Sequence, residues 1–275
     1  MWGPEPGVFT AGCCGMTRIM DAPTDEISTE SVVQVVTTEG NRGFRGLIRN
    51  ADVKMHPHDY FVDVVSRHID MKKQPEWLDV GCGWHFDWPW EQKREEGLVS
   101  RANVTGLDPD TQAVARHRSI RKKVVGSVER LPFADESFDI VTANVVVEHL
   151  KYPGVAFSEV FRVLRPGGVF LFRTPSARSY FVRIARVLPR AAKLWLAGNV
   201  IAKRKEEDIY PTHYRANTAE VITELCGVLG FRKVDVTITR AMPTFNNIPV
   251  IRKVERFTAG VLGITEGNLI AEAYK

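Results

Sequence analysis

From residue 76 onward the chain alternates short apolar runs with longer amphipathic ones. Trp77-Leu78-Asp79-Val80 stops at Gly81, the run 104–107 stops at Asp108, and Val124-Val125 stops at Gly126. Two more runs, 138–143 and 169–173, stop at Asn144 and Thr174. Apolar runs of this length, bounded by turn-forming residues, predict strands. Between the last two, Phe157, Val160, Phe161 and Leu164 share one helical face, and Arg165-Pro166-Gly167-Gly168 closes that helix. Upstream, the apolar positions 61, 62, 64, 65 and 69 predict a lead-in helix over residues 60–69. Downstream, a helix at about 218–229 leads through Gly230-Phe231 into a strand at 234–239, and 269–274 gives a last strand. Strands alternating with helices favour a doubly wound α/β fold over a sandwich of antiparallel hairpins.

The flanks break this rhythm. Residues 1–40 carry one basic residue, Arg18, against six acids, and only Val32, Val33, Val35 and Val36 suggest a short strand or helical turn. Residues 1–50 are therefore expected to be a partly disordered extension, with the domain at 51–275. Within it, 176–216 is an insertion. Nine Lys or Arg residues and the acidic triplet 206–208 lie between 178 and 215, and the segment kinks or restarts at Pro189. The stretch 179–198 interleaves these charges with Phe, Val, Ile, Leu and Trp. That suits a lid helix with its charges in water, and it also suits peripheral membrane contact through residues 178–205.

Composition narrows the classes. A 275-residue chain, 44% hydrophobic and 25% charged, fits one ordinary globular domain. No apolar run reaches the roughly 18–20 residues of a membrane span. The first residues lack the basic start and apolar core of a secretory signal, which points to the cytoplasm. Cys13, Cys14, Cys82 and Cys226 form no CxxC pair, so reduced thiols are expected, with no disulfide and no metal. A net charge of +4 does not by itself imply nucleic acid. Oligomeric state leaves no mark in the sequence.

Candidate chemistry concentrates at strand ends. In LDVGCGW, residues 78–84, a strand runs into Gly-x-Gly, where a ligand approaches backbone that a Cβ would shield. The next strand ends in Asp108, placed to accept the two hydroxyls of a ribose. A nucleoside-containing ligand in one crevice follows, against a plain turn and a solvated Asp. A nicotinamide dinucleotide would need a third Gly for helix–sheet packing, and His85 stands there.

GSVERLPFADESFDIVTANVVVEHL (126–150), followed by EVFRVLRPGG (159–168), resembles the class I S-adenosylmethionine-dependent methyltransferases, methyltransferase type 11 family. The resemblance covers about residues 76–175. It implies a Rossmann-like, doubly wound, mostly parallel seven-stranded sheet with helices on both faces and a helical lid insertion. It also implies S-adenosyl-L-methionine as cofactor. Gly81, Cys82 and Gly83 would line the methionine, Asp108 would bind the ribose, Ser127 and Val128 would border the adenine, and Asn144 would lie beside the methyl. Asp79 and Pro109 complete the implied cofactor set. Glu148-His149 takes the place of the family's Glu-His pair, and His149 and His213 are the candidate catalytic bases.

This sequence departs from the family at two places. His85 replaces the third Gly inside the aromatic run WHFDWPW (84–90), and Ser127 replaces the acid that commonly receives the adenine amino group. The tryptophans are expected to fill core beside a longer helix, the alternative being an aromatic wall against the sulfonium. The resulting expectation is methyl transfer to a small-molecule acceptor. A catalytically silent cofactor-binding or membrane-surface module is the alternative, and a nicotinamide oxidoreductase comes last.

Overall fold

The computed structural model describes residues 30–36, 43–51, 55–86, 91–187, 210–240 and 266–275. In chain order these form β1 (Glu30–Val36), β2 (Arg45–Ala51), α1 (Pro57–Asp70), β3 (Glu76–Val80), α2 (Gln92–Val99), β4 (Asn103–Asp108) and α3 (Thr111–Arg116). They continue as β5 (Lys122–Val125), β6 (Phe138–Asn144), a 3-10 turn (Val147–His149), α4 (Pro153–Val163), β7 (Leu164–Pro175) and α5 (Tyr180–Val187). Then follow α6 (Ala219–Leu229), β8 (Lys233–Arg240) and β9 (Glu266–Tyr274).

All the described strands join one sheet in the order β1-β2-β8-β9-β7-β6-β3-β4-β5. The stretch from β7 to β5 is parallel, and β9 runs antiparallel to both its neighbours. The sheet is thus mostly parallel, as expected, but it has nine strands and not seven. The two additional strands come from the segment expected to be an extension. β2 pairs parallel with β8 from Arg45↔Lys233 to Ala51↔Thr239, and β1 pairs antiparallel with β2. Phe44 and Ile48 are buried there. Without β2, the outer backbone groups of β8 would form an open edge.

Successive strand residues point to opposite faces, so the central strands are apolar on both. On one face, Leu78, Val80, Phe170 and Phe172 pack with α4 and α6. Phe157 of α4 meets Phe170 edge-on, with centroids 5.2 Å apart. On the other face, Trp77, Ile140 and Leu171 pack with Phe61, Val64 and Val65 of α1 and with Leu98 of α2. Pro57 occupies the first turn of α1, where its missing N–H costs nothing, and the His56 ring caps the helix by accepting from the His58 N–H at 3.2 Å.

The crevice above the C-terminal ends of β4, β3, β6 and β7 is where this topology gathers ligand-binding residues. The expected restart at Pro189, the charged run 203–208, Trp88, and Cys13 and Cys14 lie outside the described residues, as does most of the stretch 178–205. No helix among the described residues is long and apolar enough to cross a membrane.

Candidate active site

β3 delivers the chain into Gly81-Cys82-Gly83. Both glycines sit at positive φ, 67° and 55°, which L side chains rarely adopt. The Gly81 and Cys82 N–H groups donate to the Leu107 carbonyl at 2.7 and 3.2 Å. The Gly83 N–H donates to Asp108 Oδ2 at 2.9 Å, and the Asp110 N–H donates to Asp108 Oδ1 at 2.8 Å. One carboxylate therefore clamps two loops across adjacent strands, and each of its oxygens keeps a lone pair. A Cβ on Gly81 would lie 2.4 Å from Val146 Cγ2, whereas a Cβ on Gly83 would meet nothing within 4 Å.

Two residues expected in the cofactor set turn their side chains elsewhere. Cys82 is buried, with its Sγ packed at Gly106, where an added Cβ would come within 2.9 Å of it, and burial raises its thiol pKa. Only its backbone is offered to the crevice. Asp79 is buried too. Its Oδ1 accepts from the Thr142 hydroxyl at 2.6 Å, and that oxygen accepts from the Trp77 indole N–H at 2.8 Å. Burial pushes the Asp79 carboxyl up to about 7, with smaller contributions from Glu95 and Asp108. Asp79 supports the loop from inside the layer.

The aromatic run also divides. Phe86 is core, edge-on to Trp77 at 5.1 Å. Trp84 is 55% exposed, contrary to the expectation that the tryptophans fill core, and packs edge-on against His85 at 4.3 Å. These two rings border a cleft of about 580 Å³ with Gln92, Glu95 and His117. In place of a third Gly packing helix against sheet, His85 forms a wall of this cleft.

Among the residues expected near an adenine, Pro109 and Ser127 are exposed and Val128 packs against the core. Ser127 Oγ accepts from the Glu129 N–H at 3.2 Å, leaving its proton and one lone pair. Asp110 caps α3 through the Gln112 and Ala113 N–H groups and accepts from the Tyr210 hydroxyl at 3.2 Å. Those two backbone bonds, chiefly, hold its carboxyl below the usual range.

Tyr210 begins a strap over the turn after β6. The His149 Nδ1–H donates to the Pro211 carbonyl at 2.9 Å, and the His213 and Tyr214 N–H groups donate to the Glu148 carbonyl at 2.7 and 3.1 Å. The structure thus brings His149 and His213 together. Because a carbonyl only accepts, the His149 Nδ1 carries a proton, which leaves Nε2 as the ring nitrogen not engaged by this bond. The His213 side chain is exposed. Below the strap, the Glu148 carboxyl is buried and accepts from the Thr174 hydroxyl at 2.8 Å, and Thr174 Oγ1 accepts from Asn217 Nδ2 at 2.6 Å. Burial pushes the Glu148 carboxyl upward.

Asn144 ends β6 beside Val145, a β-branched residue held at φ 60°. The Asn144 side chain joins residues that sequence reasoning missed. Arg173 Nε donates to Asn144 Oδ1 at 2.9 Å, so the Asn144 amide NH₂ faces His58 Nδ1, 3.3 Å away. The one available signal was Pro57: read as a first-turn proline, it would have started α1 three residues earlier and placed His56 and His58 at its tip.

Residues 78–172 match the family model "Methyltransferase domain". Over these residues the chain is similar to the S-adenosylmethionine-dependent methyltransferases. A probable S-adenosylmethionine-dependent methyltransferase of Mycolicibacterium smegmatis is 33% identical over 162 residues, 58% of this chain and 52% of its own length. A malonyl-[acyl-carrier protein] O-methyltransferase of Serratia marcescens is 38% identical over 104 residues, 37% of this chain and 39% of its own. These matches span about half or less of the relatives' lengths. A methyltransferase structure from Archaeoglobus fulgidus shares the fold at a TM-score of 0.51 and 18% identity, covering 79% of this chain and 94% of that one. The seven strands from β5 to β8 correspond in number to the sheet the resemblance implies, and β1 and β2 extend it.

Proposed function

We propose that this chain transfers a methyl group from S-adenosylmethionine to a small organic acceptor by in-line displacement. The observation that carries the reading is the double clamp of Asp108. It fixes a glycine loop whose backbone is bare toward the crevice and keeps lone pairs for two vicinal hydroxyls. The residues fit the cofactor: Gly81 and Gly83 take the methionine, Asp108 the ribose, Ser127 and Val128 the adenine edge, and Asn144 the methyl end.

Bound S-adenosylmethionine supplies an already electrophilic methyl, so the chain's task is orientation and water exclusion. The strap at 210–214, tied to Glu148 and His149, covers the crevice, and His149 Nε2 accepts the acceptor's proton where the nucleophile carries one. His213 serves the strap through its main chain.

Calorimetry on the wild type and on Asp108→Ala tests the reading. Binding of S-adenosylmethionine is expected to weaken ten- to a hundredfold in the variant, about 1.4–2.7 kcal/mol. Unchanged affinity, or no binding by folded wild type, would refute it. Tight binding without turnover on any acceptor would favour a silent binding module.

A further inference from the structure

Arg173 lies two residues before the end of β7, on the α1 side of the sheet, and the interactions it makes there are unusual for a guanidinium. Nε donates to Asn144 Oδ1 at 2.9 Å, and one terminal nitrogen donates to Asn268 Oδ1 at 3.1 Å. Both acceptors are neutral amides. Among the described residues no carboxylate lies within 4 Å of it. The nearby acids are committed elsewhere: Asp59 pairs with Arg94 at 2.8 Å, and the buried Glu148 accepts from Thr174. Burial pulls the guanidinium down to about 10, with Glu148 and Asp59 offsetting part of the shift.

The neighbouring rings match a cation. The Asn144 NH₂ group gives His58 Nδ1 the accepting role, and the His58 N–H does the same for His56 Nδ1, so each ring carries its proton on Nε2. Burial, then Arg173, then His58 hold His56 below its ordinary pKa, with Asp59 opposing them. A half-buried cation whose hydrogen-bond acceptors are neutral amides is costly until an anion joins it.

Position says whose anion. Along the sheet Asp108 of β4, the glycine loop of β3, Asn144 of β6 and Arg173 of β7 follow in order. Strands lie about 4.8 Å apart, so Arg173 stands roughly 10 Å past the loop, on the side away from the ribose. On the proposed methyl-transfer reading, on which this inference rests, that is the acceptor's side. We propose that Arg173 holds an oxyanion of the methyl acceptor, a carboxylate or a phosphate ester, over the end of β7.

Butyrate, propyl phosphate and butyramide serve as probes, titrated into the full chain with and without S-adenosylhomocysteine. Wild type is expected to bind one of the two anions at least tenfold more tightly than butyramide, and which one it prefers names the source. Arg173→Gln is expected to lose that preference and Arg173→Lys to keep part of it. The wild type alone gives a second readout, because the anion is expected to raise the His56 pKa followed by NMR. Equal binding of all three probes with His56 unmoved overturns the inference. So does Arg173→Gln weakening S-adenosylhomocysteine tenfold while sparing methylthioadenosine, since Arg173 would then grip the cofactor's own carboxylate. Anion preference in a chain that binds no S-adenosylhomocysteine would keep the anion site and refute methyl transfer.

Discussion

The two halves of the crevice are built by different means. At the β3–β4 end the ligand surface is main chain, with bare glycines, the N–H groups they expose and one carboxylate spanning both loops. At the β6–β7 end it is side chain, with Asn144, Arg173, His56, His58 and Asn268 converging from four separate elements. A backbone site of this kind, proposed here for the cofactor, tolerates little change in shape. A side-chain site is re-specified by single substitutions, which would suit the half proposed to meet the acceptor.

The sharpest test of that contrast is a pair of glycine substitutions. Gly81→Val meets both a positive φ, worth about 1–2 kcal/mol, and overlap with Val146, worth about 1–3 kcal/mol. It is expected to destabilise the domain by roughly 2–5 kcal/mol and to abolish cofactor binding by calorimetry. Gly83→Ala carries only the φ cost, about 1–2 kcal/mol, with open space for its Cβ. If the two variants behave alike, the crowding at Val146 does not shape the loop.

Two buried groups beside the cofactor half make opposite pH predictions, each read from urea unfolding as wild type minus variant. Asp79 titrates near 7 in the fold against 3.8 unfolded, so between these values the native state holds the extra proton. Its contribution is greatest at low pH and fades as pH rises through 7, about 3 kcal/mol between pH 4.5 and 7. Asp79→Asn should remove that slope. His117 is buried, with Nε2 3.8 Å from Glu95 Oε1, and burial, with Lys123 and His85, lowers it to about 4 from 6.5. Here the unfolded state binds the proton first, so stability is lost as pH falls below 6.5, by about 2 kcal/mol at pH 4.5. His117→Gln should remove this opposite slope. Slopes of the same sign in both difference curves would refute these assignments.

The same contrast explains what the sequence disclosed. The cofactor half is local: LDVGCGW and GLDPD state the strand end, the turn and the carboxylate in consecutive residues, and only the inward turn of Cys82 and Asp79 was hidden. Strand alternation dictated that turn, because Trp77 and Asp79 share a face with Thr142. The acceptor half is non-local. Arg173 read as the end of an apolar run, and its neighbours His58 and Asn268 stand 115 and 95 residues away. β1 reads only as a short strand or helical turn at 32–36, and β2 was missed for a related reason. Arg45, Arg49 and Asn50 interrupt the apolar alternation of β2, whose partner β8 lies nearly 190 residues downstream.

The smallest effect concerns Val145, between the two halves. A β-branched residue at φ 60° costs about 1–2 kcal/mol, and its N–H is fixed by the Arg173 carbonyl at 2.8 Å. Val145→Gly relieves the strain. It also adds unfolded-chain entropy of about 0.5–1 kcal/mol and gives up the contacts of a half-buried side chain. These terms nearly cancel, so stability in urea is expected to change by less than about 1 kcal/mol. A gain beyond that would mean that the Val145 side chain contributes nothing and that the strain is borne for position alone. The β6 end would then be held in place by its neighbours Asn144 and Arg173, making the acceptor half the stiffer of the two.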